Sequence, residues 1–445
     1  MDAHSRPLEP DNPATPIENL DHARTLDAED PLARFRGMFH MPRSRADASK
    51  PAVYLVGNSL GLQPRTVRDE VAGELDDWAR LGVDAHFEGR HPWFSAHEWF
   101  REPASRLVGA LPRECVVMNT LTTNLHLMMV SFYRPTGERY KILIEDQAFP
   151  SDSYAVESQA AYHGRDPREA IVRLRPRAGE NSVREEDVLR AIDEHAGSLA
   201  TVMLGAVNYV SGQWFDMPTI TAAGRRAGAV VGWDLAHAAG NVPMKLHDWG
   251  ADFAVWCSYK YLNAGPGAIA GCFVHERHAG RPDLPRFAGW WGNDPETRFK
   301  MQPGFVPTAG ADGWQLSNPS IFALAPLRAS LRIFDEAGMG ALREKSLRLT
   351  GSLEATLLER EIHGMEITTP RDPARRGCQL SLRFRENARA IFDALAVRGV
   401  VCDYREPGVI RVAPVPLYNT FEDVYTLATT LAKASSLVSR PGAPR

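Results

Sequence analysis

At 445 residues, 44% hydrophobic and 24% charged, the chain exceeds what one hydrophobic core usually organises, so two domains are expected. The net charge of −4, with arginines spread along the chain, argues against nucleic acid or an anionic membrane as partner. Cys115, Cys257, Cys272, Cys378 and Cys402 form no Cys-x-x-Cys pair, the start carries no apolar leader, and no apolar run reaches membrane-spanning length; together these predict reduced thiols in a cytoplasmic protein.

Residues 1–50 read as a polar arm, with Pro7, Pro10, Pro13 and Pro16 and one short amphipathic stretch at Leu32–Phe39. Pro64 to Leu81 has helical periodicity and stops at Gly82. From 116 onward short apolar runs alternate with amphipathic helices, the pattern of a mostly parallel, doubly wound α/β sheet. The predicted strands are Tyr140–Glu145, Ala170–Leu174, Ala200–Val207, Ala229–Trp233, Phe253–Trp256 and Ala268–Val274. Between them fall helices at Asp152–Ala161, Val183–Glu194 and from Pro218 to Gly228. After Asn318-Pro319 the pattern changes to long helices (Ile321–Glu336, Leu342–Glu361) and short β-like runs at Met365–Thr368, Gln379–Phe384, Val400–Tyr404 and Val409–Val412. The expected division is an arm at 1–50, a large domain at 51–320 and a smaller α+β domain at 321–445, which ends in an Arg/Pro/Ala-rich tail at 440–445.

The most telling residue is Lys260, in Trp256-Cys257-Ser258-Tyr259-Lys260-Tyr261-Leu262-Asn263-Ala264-Gly265. A lone lysine at a strand end is usually just exposed. This one follows two hydroxyl residues and precedes a glycine turn, downstream of Gly232-Trp233-Asp234-Leu235-Ala236-His237. An amine and a strand-end acid suit pyridoxal phosphate, which needs a lysine for its Schiff base and a carboxylate to keep its ring nitrogen protonated. Asp234-x-x-His237 would also begin a metal site, but no His or Cys at matching spacing supplies further ligands, so no metal is expected. Met118 to His126 looks like a polar turn opening an apolar helix, a phosphate-type site if it is more than a cap. Phe149-Pro150-Ser151-Asp152 is either a stacking aromatic beside a flat ring or a plain turn with Asp152 as helix cap. Arg411, a lone cation in a β-like run, would take a substrate carboxylate or a structural salt bridge. Trp290 and Trp291 are expected exposed, at a binding or oligomer surface.

Leu55 to Leu62, Met118 to His126, Phe149 to Asp152, Asp234 to His237, Trp256 to Gly265 and Arg411 to Tyr418 together resemble kynureninases, fold-type I pyridoxal-phosphate enzymes of the aspartate aminotransferase superfamily. The resemblance implies a homodimer that hydrolyses kynurenine or 3-hydroxykynurenine to an anthranilate and L-alanine, in tryptophan catabolism and NAD biosynthesis. By it, Lys260 carries the cofactor, Tyr259 contacts the phosphate and moves protons, and Leu121 and Thr122 also bind phosphate. Phe149 stacks on the ring, Asp152 lies near it, Asp234 pairs with the ring nitrogen and His237 sits close by. Trp290 and Asn318 reach the site across the dimer interface, and Arg411 binds the α-carboxylate. His86 and Asn318 match members that favour 3-hydroxykynurenine, whereas Asn293 stands where many have histidine and Gly205 where some have a hydroxyl residue. That combination implies an aryl pocket shifted toward a ring-substituted 3-hydroxykynurenine. The rival readings are a cysteine desulfurase-like enzyme, with Cys378 or Cys402 as nucleophile, and a non-catalytic protein on the same fold. A nicotinamide dehydrogenase lacks its glycine fingerprint.

Overall fold

The computed structural model describes residues 15–281 and 283–438. Pro7, Pro10, Pro13 and the 440–445 tail lie outside the described residues. Seven strands form the main sheet: β2 (Cys115–Val117), β3 (Lys141–Glu145), β4 (Ile171–Leu174), β5 (Leu199–Gly205), β6 (Val230–Asp234), β7 (Phe253–Trp256) and β8 (Gly271–Val274). Their spatial order is β2-β8-β7-β6-β5-β3-β4, with β8 antiparallel to both its neighbours and the other pairs parallel. β7 and β8 are buried along their whole length and β5 along all but its last residue, because helices cover both faces. One crossover helix starts where its sequence signals it: Asp216 caps Met217–Arg226 by accepting from the Thr219 amide at 3.1 Å, and Pro218 occupies the first turn.

A four-stranded antiparallel sheet, β12-β13-β10-β9, is built from β9 (Met365–Ile367), β10 (Leu380–Phe384), β12 (Asp403–Arg405) and β13 (Val409–Val412). It packs Leu380, Leu382, Ile410 and Val412 against Leu349, Leu353, Leu427 and Leu431 of two long helices. The predicted run Val400–Tyr404 is not one strand. Val400–Val401 (β11) pairs in parallel with β1 (Val53–Tyr54), whereas Asp403–Arg405 joins the antiparallel sheet. The helix Ile321–Ala337 puts Leu324, Leu327, Leu331 and Phe334 into the core of the main sheet. The next helix, Met339–Glu359, bridges the cores, with Leu342 in the main one and Leu349, Leu353 and Leu357 in the other.

Residues 20–28, read as part of a polar arm, form a helix capped by Asn19 and packed on the last helix, Phe421–Val438. Leu32–Phe39 becomes a short 3-10 helix at Ala33–Met38.

The seam between Val67–Leu81 and Ile321–Ala337 holds a buried ionic knot. The Arg328 guanidinium, 1% exposed, donates to Glu70 at 3.2 Å and Glu74 at 3.0 Å, and the Trp93 indole donates to Glu74 at 2.8 Å. Removing the cation leaves the buried Glu74 with only the Trp93 indole among the described residues, while Glu70 keeps Arg332 at 2.6 Å, so Arg328→Met is expected to cost about 3 kcal/mol, the low end for breaking a buried pair, read as a lower denaturant midpoint. A loss below about 1 kcal/mol, the size of a surface pair, would mean that the knot does not hold the seam.

Candidate active site

Parallel sheets open ligand clefts beyond the carboxyl ends of their strands, and one cavity lies there. It encloses about 620 Å³, open in part to solvent, and its walls include Leu121, Thr122, Phe149, Asp152, Asp234, His237, Tyr259 and Lys260. Eight residues singled out from the sequence thus meet in one place.

Asp234 is the last residue of β6, and its Oδ1 accepts from the Ala236 amide at 2.6 Å, which fixes the carboxylate. Lys260 follows β7 in a loop pinned from the other side, where the Gly61 amide donates to the Tyr259 carbonyl at 2.8 Å. A side chain at Gly61 would put its Cβ 2.2 Å from the Lys260 carbonyl oxygen, so only glycine fits that approach. The Lys260 Nζ lies 3.1 Å from His237 Nε2 and 5.6 Å from the centre of the Phe149 ring. Burial, then the neighbouring Lys260 amine, hold the His237 imidazole well below its usual range. It is therefore neutral and within hydrogen-bond distance of the lysine. Burial raises the Tyr259 phenol, keeping it protonated.

Leu121 and Thr122 open the helix Leu121–Phe132, with Thr122 Oγ1 2.5 Å from Ser151 Oγ. This pair of hydroxyls beside free helix amides could hold an anion. Phe149 immediately precedes the helix Pro150–Tyr162 and meets Tyr209 edge-on at 5.2 Å. Asp152 is not that helix's cap: it sits buried in the first turn and faces the cavity. Burial and the nearby Asp234 raise it well above the ordinary carboxylate range.

Arg411, 1% exposed on β13, does not line the cavity directly. Its Nε donates to Asp403 at 2.6 Å and its Nη1 donates to the carbonyl of Tyr209, a cavity residue, at 2.7 Å. The salt bridge expected as one reading is present, and it leaves the guanidinium at the cavity's edge.

His86, Trp290, Asn293 and Asn318 are not brought to this cavity within one chain. Their loops gather elsewhere: His86 packs edge-on against Trp93 at 5.4 Å, Phe94 packs on Trp291 at 5.5 Å, and the Trp291 amide donates to the Leu316 carbonyl at 3.1 Å. Trp290 is 42% exposed, but Trp291, expected at the surface with it, is 1% exposed, with the Arg298 guanidinium over its ring.

Glu145, Asn208, Tyr209 and Ser151 also line the cavity and were not singled out from sequence. Glu145 carried a usable signal, an acid closing a buried parallel strand as Asp234 does. A second group outside the sequence reading, Glu114, His247 and His275, meets beyond the far ends of β2 and β8, with His247 Nδ1 3.0 Å from Glu114.

The cavity can be tested against a cofactor. Two buried polar atoms on its walls, His237 Nδ1 and Asp152 Oδ1, find no partner among the described residues, as befits groups that serve a ligand. The amine, the strand-end acid and the anion site are the three anchors that pyridoxal phosphate requires. Fold and cavity agree on this cofactor, and they place the protein among the fold-type I pyridoxal-phosphate enzymes. In fold it is similar to a solved cysteine desulfurase from Escherichia coli, 19% identical with a TM-score of 0.73, covering 91% of this chain and 98% of that one.

Closer likeness comes from sequence. A kynureninase of Myxococcus xanthus is 60% identical over 92% of this chain and 96% of its own length, and one of Koribacter versatilis is 58% identical over 90% and 94%. Residues 342–431 match the model of the kynureninase C-terminal domain. The chain belongs to the kynureninase family. The desulfurase reading fails on its own chemistry as well: Cys378 and Cys402 are buried, and burial pushes both thiols up to about 12.

Proposed function

We propose that the protein hydrolyses a kynurenine-type amino acid at the bond between Cβ and Cγ, releasing an anthranilate and L-alanine. The observation that carries this reading is the meeting of Lys260, Asp234, His237 and Phe149 in one cavity of a chain 60% identical to a named kynureninase. When bound, pyridoxal phosphate supplies an aldehyde for amines and a protonated ring that draws electrons from the carbon next to nitrogen.

The residues then divide the work. The Lys260 amine would hold the cofactor in the resting enzyme and, when free, would be the base for the substrate's α-proton. His237, neutral at 3.1 Å, steadies that amine and can share its proton. Asp234 would pair with the ring nitrogen, Phe149 would stack on the ring, and Leu121, Thr122 and Tyr259 would bind the phosphate, with Asp152 nearby. The protonated Tyr259 phenol serves as general acid when water adds to the γ-carbonyl, and recovers its proton as the bond breaks. Arg411, aligned by Asp403, binds the substrate carboxylate.

The enzyme acts as a cytoplasmic homodimer on this reading, because His86, Trp290, Asn293 and Asn318 can serve the cavity only from a second copy. Among the described residues no helix is long and apolar enough to cross a membrane. Asn293 bears on the aryl group: its side-chain oxygen already accepts from the Val306 amide at 2.8 Å, leaving its NH2 as a donor for an oxygen on the ring. The expected order of kcat/KM is a ring-methylated 3-hydroxykynurenine at or above 3-hydroxykynurenine, with kynurenine about tenfold or more lower, one lost hydrogen bond. A preference for plain kynurenine would contradict the proposed aryl pocket.

A further inference from the structure

Glu145 is a carboxylate in the cavity with no role assigned above. Strand order places β5 between β6 and β3, and Gly205 pairs in register with Asp234. Asp234 and Glu145 thus close strands two spacings apart, roughly 10 Å between backbones, with a glycine between them. The Glu145 side chain lies over that glycine. Its Oε1 accepts from the Gly205 amide at 2.9 Å, its Oε2 accepts from Asn208 Nδ2 at 3.0 Å, and a Cβ on Gly205 would stand 3.0 Å from Oε1. The missing side chain gives the acid its seat beside Asp234.

Glu145 is 3% exposed, and among the described residues no Lys, Arg or His nitrogen lies within 4.0 Å of its carboxylate. The titratable groups it shares the cavity with are Asp234 on β6, Asp152 in the helix Pro150–Tyr162, itself raised by burial and Asp234, the Tyr209 and Tyr259 phenols, the Lys260 amine and the neutral His237. A smaller cavity on its other side is lined by Asn181, Ser182, Asn208, Ser211 and Gln213, which bring no charge. Acids crowded into one desolvated space cannot all ionise. Asp234 is the one opposed by a ring cation once the cofactor is bound.

We propose that Glu145 is a positioning residue whose carboxyl is neutral on the acid side of its titration, so that Asp234 there faces the cofactor ring without a second negative charge beside it. The proposal rests on the cofactor reading given above. Burial, and then Asp234, raise Glu145 to about 7, against the hydrogen bonds from Asn208 and Gly205 that favour the anion. Being raised, the group is protonated below that pH and ionised above it, so the ring should sense a change of field on crossing it.

The test uses the holoenzyme. Infrared difference spectra of wild type minus Glu145→Gln should show the carbonyl stretch of a neutral carboxylic acid at pH 6, fading through about pH 7. The absorbance of the bound cofactor should show a transition with the same midpoint, absent from Glu145→Gln. Asn208→Ala removes a donor to the anion and should move both midpoints upward by about one pH unit, since one hydrogen bond of about 1.4 kcal/mol is one unit; this also covers the case in which the Gln variant does not fold. A wild type with no neutral-acid signal at pH 6, or a Gln variant whose absorbance titrates as wild type does, overturns the proposal and leaves the function standing. A wild type that takes up no pyridoxal phosphate overturns both.

Discussion

Lys260→Ala is expected to lower kcat/KM for 3-hydroxykynurenine by about 10⁴–10⁶-fold, the loss seen when an enzyme's nucleophile is removed. The fold should survive, because the amine's neighbours include His237 at 3.1 Å and the faces of Phe149 and Tyr259, and among the described residues it makes no ion pair. Two features of the loop make the expectation specific. The backbone around 260 is held by the Gly61 amide on the Tyr259 carbonyl, independently of the side chain. The neutral His237 remains and is the nearest base, yet it has no primary amine with which to hold an aldehyde. The variant should therefore lose the Schiff-base absorbance of the resting enzyme, and small primary amines added in solution should restore part of the activity. A variant that stays yellow without substrate, or keeps a tenth of its activity, would show that the covalent link is elsewhere.

Asp234→Asn should be nearly as damaging, by about 10²–10³-fold in kcat, the range for removing one preorganised electrostatic partner. The amide can keep the 2.6 Å bond from Ala236 through its oxygen, so position is preserved and only charge is lost. An amide nitrogen cannot hold a proton on the ring nitrogen, and the ring then withdraws electrons poorly. The deficit should fall on kcat more than on KM, because the acid does not touch the substrate. An equal loss in KM with kcat intact would assign Asp234 to binding instead.

The parts of this molecule that a sequence can announce are those with local signatures. Buried parallel strands are short apolar runs, and the six main-sheet strands expected from them are present at Lys141–Glu145, Ile171–Leu174, Leu199–Gly205, Val230–Asp234, Phe253–Trp256 and Gly271–Val274. Lys260 and Asp234 stood out because polar residues ending such runs face the ligand edge. Partner choice is not local. Val400 to Tyr404 reads as one β-run, and nothing in it records that Val400–Val401 pairs with Val53–Tyr54 while Asp403–Arg405 turns to β13. The helix Leu20–Ala28 escaped notice because only Ala23 of its nine residues is buried, too little apolar face to give a period.

In the site, Glu145 has a local signal, an acid closing a strand, but its meaning depends on Gly205 and Asp234 on the neighbouring strands of the sheet. Asp152 reads as a cap because Asp is a favoured N-cap residue; its burial over the cavity is a tertiary fact. Arg411 could be read as a cation in need of an anion, and the structure supplies Asp403 across the β12–β13 pair.

The central claim, hydrolytic cleavage of a carbon–carbon bond at Lys260's cavity, is tested most directly by turnover of 3-hydroxykynurenine in water enriched in oxygen-18. The account predicts L-alanine and 3-hydroxyanthranilate in equal amounts, with one heavy oxygen in the new carboxylate of the aromatic product. Consumption of substrate without alanine, or an aromatic product carrying no heavy oxygen, would contradict it.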